Sequence, residues 1–311
     1  MTAEQPPVPQ PAPAREERPS IGELVRRGDR SFSFEFFPPK DAAGEETLWA
    51  ALTELQPYQP TFVSVTYGAG GTTRDRTIEM TGRIARETSL RVMGHLTCVG
   101  HTREELVEVL RAYAAAGVHD VLALRGDPAE GPTAPWTSTP GGFEHAVELV
   151  ELARSLSDEL GGLGVGVAAF PEKHPGSLAV DDDARVLAAK AAAGAEFAVT
   201  QLFFRASDYF ALVERSSAAG ADIPILPGIM PITNLTSVKR MAELSGAEVP
   251  PEVLRRFEGA ADAAEVRRIG VDVATELCDE LLAGGAPGLH FYTLNRSRAT
   301  RDIFGALRIT A

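Results

Sequence analysis

A single carboxylate stands among phenylalanines. In SFSFEFFPPK, residues 31–40, Glu35 lies between Phe34 and Phe36, just ahead of the Pro38-Pro39 stop. A carboxyl in apolar surroundings is costly to ionise, so its pKa is expected to rise. A carboxyl that keeps its proton near neutral pH can act as a general acid. The competing reading is a structural glutamate paired with an inward basic residue. Other reactive types cluster where apolar runs end: Thr66 and Tyr67, His95 and Thr97, Arg125 and Asp127, Glu172 and His174, Gln201, then Asn295 and Arg296. Arg125 offers a planar fork of donors suited to a phosphate. Asp127 brings negative charge beside it, and an Arg125–Asp127 contact is the bland alternative. Gly126 between them allows close approach to the backbone. Gln201 can give both a donor and an acceptor to a heterocycle. Asp183 and Lys190, seven apart, share a helix face, with Lys190 either holding a phosphate or facing solvent. The six histidines (95, 101, 119, 145, 174 and 290) show no metal-ligand spacing. Each is by default a structural histidine; His95 and His174 stand out because both are read as following strands.

These residues need a scaffold that brings distant strand ends together. From Ser31 onward a short β-rich run ends in polar or glycine residues and an amphipathic helix follows, again and again. Strands are predicted at 31–37, 61–67, 91–98, 120–125, 165–170, 197–204, 224–229 and 288–294. Helices such as 103–117 and 143–156 lie between them, and several stop near Gly117, Gly161 or Gly220, as left-handed caps require. Eight successive βα units predict an α/β (β/α)8 TIM barrel. An open doubly wound sheet is the alternative, but its glycine fingerprint is poorly matched by GAGGTTRDRT at 68–77, which reads as a loop capping a helix. The span 230–287 is too long for one helix and is broken by VPPEV, so the seventh unit carries an extra helix. Alternation along β1 puts Phe32, Phe34 and Phe36 on one face and Ser33, Glu35 and Phe37 on the other. Three phenylalanines suit the helix layer, which leaves Glu35 pointing into the lumen near the C-terminal rim, where barrel enzymes keep their active sites.

Composition sets limits. The chain has 311 residues, 44% of them hydrophobic, enough for one large barrel. Its net charge of −13 argues against nucleic acid as a partner. No apolar run is long enough for a membrane span. Cys98 and Cys278 have no pairing or zinc spacing and read as buried thiols in a reducing cytoplasm. Residues 1–20 hold six prolines and no apolar signal core, so they are expected to be a disordered tail, with residues 21–311 forming the catalytic barrel.

Taken together, FSFEFFPPK, PTFVSVTYGAGGTTRDRT, GHLTC, LALRGD, AAFPEKHP, VTQLFF, LPGIMPITN and HFYTLNR resemble methylenetetrahydrofolate reductase of the bacterial type, in order from about residue 31 to 307. The resemblance implies a barrel carrying FAD that reduces 5,10-methylenetetrahydrofolate to 5-methyltetrahydrofolate with NADH or NADPH, supplying methyl groups for methionine. It implies a homo-oligomer, and no regulatory extension responsive to S-adenosylmethionine. It makes Glu35 the general acid, Asp127 the group tuning flavin and pterin, and Gln201 and Arg296 substrate contacts. For the flavin it points to Thr66, Tyr67, His95, Leu124, Arg125, Gly126, Asp127, His145, Ala146, Phe170, His174, Asp183 and Lys190. His145 and Phe170 stand where tyrosine is expected, Val186 and Ala189 where relatives have polar contacts, and Leu235 where some bacterial members have phenylalanine. Two other readings are a non-redox barrel enzyme and a non-catalytic folate- or flavin-binding relative. No strand lysine suits a Schiff base, since Lys40 and Lys173 fall on loops, and an intact Glu35, Asp127 and Gln201 argue against decay.

Overall fold

The computed structural model describes residues 19–67, 71–128, 131 and 134–309. The tail before Pro19 and the tip of the GAGGTT loop, 68–70, lie outside the described residues. Eight parallel strands pair in sequence order and close on themselves: β1 (Ser31–Phe36), β2 (Phe62–Val65), β3 (Val92–Thr97), β4 (Asp120–Leu124), β5 (Gly164–Ala169), β6 (Phe197–Leu202), β7 (Ile225–Ile229) and β8 (Gly288–Tyr292). The doubly wound alternative is thereby excluded. Helices alternate with them: α2 (Ala42–Leu55), α3 (Gly71–Glu87), α4 (Arg103–Ala115), α5 (Ala146–Ser155), α6 (Val180–Ala192) and α7 (Ala206–Ala218). The seventh unit carries α8 (Leu235–Ser245), α9 (Pro251–Arg255) and α10 (Ala263–Ala283), and α11 (Arg298–Ala306) follows β8.

Strand parity sorts the side chains. Phe34, Phe36, Val63, Val65 and Leu96 face outward into the main core with the helices. Phe62, Met93, Leu122, Phe197, Val199 and Leu226 fill the lower lumen. That lumen is closed from below by an element the strand–helix rhythm did not announce, α1 (Ile21–Arg26), whose Ile21 and Val25 join the lumen cluster. Ser20 caps α1 reciprocally with Glu23: the Ser20 amide donates to the Glu23 carboxylate at 2.6 Å and the Glu23 amide to Ser20 Oγ at 3.1 Å. The Ile21 amide donates to Asp120 Oδ1 at 2.9 Å, at the first residue of β4, so the helix sits across the N-terminal mouth. With the bottom sealed, only the opposite rim is open to chemistry.

Gly117 and Gly220 follow α4 and α7 directly with φ of 83° and 92°, as the caps required. Gly161, at φ 69°, lies beyond a further turn after α5 rather than at its cap. Between β6 and β7 the register shifts across Val199 and Leu202. Pro227 cannot donate to the ladder, the Gly228 amide bonds instead to Thr200 Oγ1 at 2.8 Å, and the irregular stretch includes Gln201.

Candidate active site

Glu35 faces the lumen and is 7% exposed. Its neighbours on the ladder are Ser64 of β2 and Tyr292 of β8. Two imidazoles reach it: His95 Nε2 from β3 and His290 Nε2 from β8 each lie 3.4 Å from Glu35 Oε2. The far nitrogen of His290, Nδ1, is 2.8 Å from Ser33 Oγ. Thr293 Oγ1 donates to the Glu35 carbonyl at 2.6 Å, pinning the strand end. The Tyr113 hydroxyl donates to the His95 carbonyl at 2.8 Å from the helix side. Among the described residues Ser64 Oγ and Thr97 Oγ1 are buried without a hydrogen-bond partner, and His95 Nε2, although near Glu35, makes no hydrogen bond. Three unsatisfied polar atoms in one chamber are what a site awaiting a ligand or water leaves behind.

The ionisation of Glu35 differs from the sequence expectation. Burial works against the carboxylate, as argued, but the charge of His95 and the hydrogen bond and charge of His290 outweigh it. The net direction is below the ordinary carboxylate value, not above. Burial pushes His95 down as well, with Glu35 opposing and His290 adding to the effect. Near neutral pH the cluster is a carboxylate beside a neutral His95. The inward basic partners of the structural reading are present, whereas the raised pKa on which the general-acid reading rested is not.

A second cluster lies where β4, β5 and α6 meet. Lys190 is 9% exposed, and its ammonium donates to the Ala168 carbonyl at 3.1 Å. It does not face solvent. Burial lowers its pKa from 10.5 to about 8, with Asp183 opposing and Arg125 adding to the effect. Asp183 is occupied locally: it accepts from the His174 amide at 2.9 Å and from Ser177 Oγ at 2.5 Å. His174 packs edge-on against Phe170 with ring centres 4.7 Å apart. Its pKa is held down by burial and then by the positive charge of Arg125. Arg125 and Asp127 form no ion pair. Gly126 has φ 81°, and a Cβ there would meet Val99 Cγ1 at 2.4 Å and Thr97 Cβ at 2.9 Å. Packing and backbone sign demand this glycine, which is a firmer reason than close approach by a ligand.

The remaining residues spread around the rim. Half-buried Tyr67 hydrogen-bonds through its hydroxyl to His101 Nε2 at 2.9 Å, and burial raises its pKa. Thr66 accepts through its carbonyl from Thr77 Oγ1 at 3.2 Å. Leu124 ends β4, half-buried against the lumen cluster. His145 caps α5 and is exposed, while Ala146 behind it is buried. The His145 carbonyl accepts from buried Cys98 Sγ at 3.7 Å. Gln201 is half-buried; Asp127 and Arg296 are exposed. Of the substituted positions, Val186 is 50% exposed and Ala189 is exposed on α6, and Leu235 packs on the cluster of α8–α10.

His95 lies within β3 rather than after it. Sequence reasoning passed over His290, although parity through Gly288, His290 and Tyr292 puts it on the same face of the sheet as Ser33 and Glu35. Trp136 was also missed; its ring lies under the Arg125 guanidinium at 4.6 Å. Among the described residues no group of His, Cys, Asp and Glu is arranged to hold a metal ion, and no helix is long and apolar enough to cross a membrane.

Residues 20–308 match the family model described as methylenetetrahydrofolate reductase. The chain is 36% identical over 284 residues to the 5,10-methylenetetrahydrofolate reductase of Salmonella typhimurium, covering 91% of this chain and 92% of that protein. It is 38% identical over 293 residues to methylenetetrahydrofolate reductase (NADH) 1 of Arabidopsis thaliana, covering 91% of this chain but 49% of the plant protein. The chain thus spans about half of the plant relative and nearly all of the bacterial one. Among solved structures, an uncharacterized protein from Clostridium thermocellum that binds two copies of 5-methyl-5,6,7,8-tetrahydrofolic acid superposes with a TM-score of 0.66 at 12% identity, covering 92% of this chain and 96% of that one. At that identity the likeness speaks for the fold alone.

Proposed function

This chain belongs to the methylenetetrahydrofolate reductase family, and from that premise we propose that it reduces 5,10-methylenetetrahydrofolate to 5-methyltetrahydrofolate, with FAD as resident carrier and NADH or NADPH as donor. The product would serve as a methyl source for methionine synthesis. The observation that carries this reading is the buried Glu35–His95–His290 cluster in a lumen open only at its C-terminal rim.

The residues present fit a flavin nucleotide. Arg125 and Lys190 bring two cations to one end of the rim, and among the described residues neither is paired with a carboxylate. A diphosphate would answer both charges. Arg125, Gly126, His174, Asp183 and Lys190 would hold the phosphate-bearing part, and Thr66, Tyr67, His95, Leu124, Phe170, His145 and Ala146 would line the remainder. When bound, the flavin supplies a two-electron carrier that accepts hydride from the nicotinamide and passes it to the folate.

The protein's own part is protonation and placement. Glu35, ionised in the free protein, would take up a proton as substrate binds and pass it, with His290 behind it, to the folate nitrogen released as the five-membered ring opens. Ser33 fixes the ring of His290 through Nδ1, so that Nε2 stays directed at Glu35. Gln201 would present paired donor and acceptor groups to the pterin, and Asp127 and Arg296, exposed at the rim, would meet the substrate as it enters.

The test is spectroscopic. The purified protein reconstituted with FAD should bleach anaerobically on addition of NADH or NADPH and recover its absorbance on addition of 5,10-methylenetetrahydrofolate. A flavoprotein that neither nucleotide bleaches, or that folate does not reoxidise, would refute the assignment. Comparing the two nucleotides identifies the donor.

A further inference from the structure

Among the described residues two arginines stack on tryptophans, and they differ in one respect. Arg83 lies 5.2 Å from the Trp49 ring on the helix shell and is paired there with Glu45 and Glu87. Arg125 lies 4.6 Å from the Trp136 ring at the barrel rim, and among the described residues its side chain donates to the neighbouring Gly126 carbonyl at 3.3 Å. The first pair is electrostatically complete. The second is a guanidinium held on an aromatic face with no carboxylate partner among the described residues, close enough to the buried Lys190 ammonium for their charges to interact. The Trp136 Nε1 is buried and has no acceptor among the described residues. An indole N–H is a donor only, so nothing but an incoming acceptor can satisfy it. A cation on a ring face also loses freedom to swing away, which preorganises it for an anion.

We propose that Trp136 is a positioning residue for a phosphate-bearing cofactor: its ring sets the Arg125 guanidinium towards the anion that Arg125 and Lys190 share, and its indole N–H donates to the same ligand. The inference rests on the flavin reading above and extends it to a residue of the loop between β4 and α5. It places part of the cofactor affinity in that loop, on a chain whose α6 offers Val186 and Ala189 where polar contacts were expected.

The experiment is a titration of the full-length apo-protein with FAD and with riboflavin, which carries the ring but no phosphate, at several salt concentrations. Trp136→Ala should weaken FAD binding roughly tenfold. It should leave riboflavin binding unchanged and make FAD affinity less steeply dependent on salt. Trp136→Phe keeps a ring under Arg125 and should lose only a few-fold. Wild-type affinity for FAD in Trp136→Ala would overturn the proposal. So would an equal loss for FAD and riboflavin with an unchanged salt slope, because the ring would then pack on the flavin and not serve its phosphates. Should Trp136→Ala not fold, Trp136→Phe decides alone: FAD affinity equal to wild type refutes the N–H contact. A wild-type protein that binds neither ligand would instead defeat the flavin reading itself.

Discussion

Replacing Lys190 with methionine should make the apo-protein more stable and the cofactor site weaker at the same time. The folded chain holds this ammonium at a pKa of about 8 against an ordinary 10.5. At about 1.4 kcal/mol per pH unit, that gap means burial of the charge costs the fold about 3 kcal/mol at pH 7. The direction across pH follows from proton counting. Between pH 8 and 10.5 the unfolded chain still binds this proton while the folded chain has released it, so stability contributed by Lys190 rises with pH across that window. Methionine keeps the aliphatic stem and removes the charge. It also leaves the Ala168 carbonyl without its donor at 3.1 Å, a loss of about 1 kcal/mol. The net expectation is a gain of about 2 kcal/mol at pH 7, or about 4 °C in Tm, shrinking to nothing or reversing above pH 10. Urea unfolding of both apo-proteins from pH 7 to 10.5 measures it, and taking the difference between them removes other groups that titrate in the range. FAD affinity should fall in the same variant. A Lys190→Met protein less stable than wild type at pH 7, or a difference that does not change with pH, would refute the reasoning.

Two further outcomes follow from the site and its supports. His290→Asn removes an imidazole that favours the Glu35 carboxylate, so Glu35 should ionise at higher pH; the pH profile of the folate half-reaction should move upward while flavin reduction by the nucleotide keeps its rate, and an unmoved profile would contradict the coupling. Gly94→Ala would drive a methyl to 2.6 Å from the Tyr113 ring, whose hydroxyl holds the His95 carbonyl; a loss of about 1–3 kcal/mol from overpacking is expected in denaturant unfolding, and a loss below about 0.5 kcal/mol would show that the ring gives way freely.

The barrel was legible because period-2 and period-3.6 patterns are local. Every predicted strand overlaps an observed one, and the errors fall mostly at C-terminal ends: 197–204 stops at Leu202 and 288–294 at Tyr292. There the chain leaves the ladder while its side chains stay largely apolar: Phe203 packs in the main core, and Phe204 and Leu294 on the cluster of α8–α10. The plug α1 escaped notice because six residues behind a proline-rich stretch carry too little periodicity to announce a helix. The lumen position of Glu35 followed from parity along one strand. Its ionisation did not, because that depends on His95 and His290, which the closed sheet brings to it from β3 and β8. The burial of Lys190 was hidden for a similar reason: helix spacing tells which residues share a face, not that this face turns towards the end of β5.

The most direct test of the account separates the two half-reactions in Glu35→Gln. Stopped-flow reduction of the bound flavin by the nucleotide should proceed within a few-fold of wild type, because that step asks no proton of residue 35. Reoxidation by 5,10-methylenetetrahydrofolate should fall by about 10²-fold or more, the usual contribution of a positioned acid. Equal losses in both steps, or full folate turnover without the carboxyl, would contradict it.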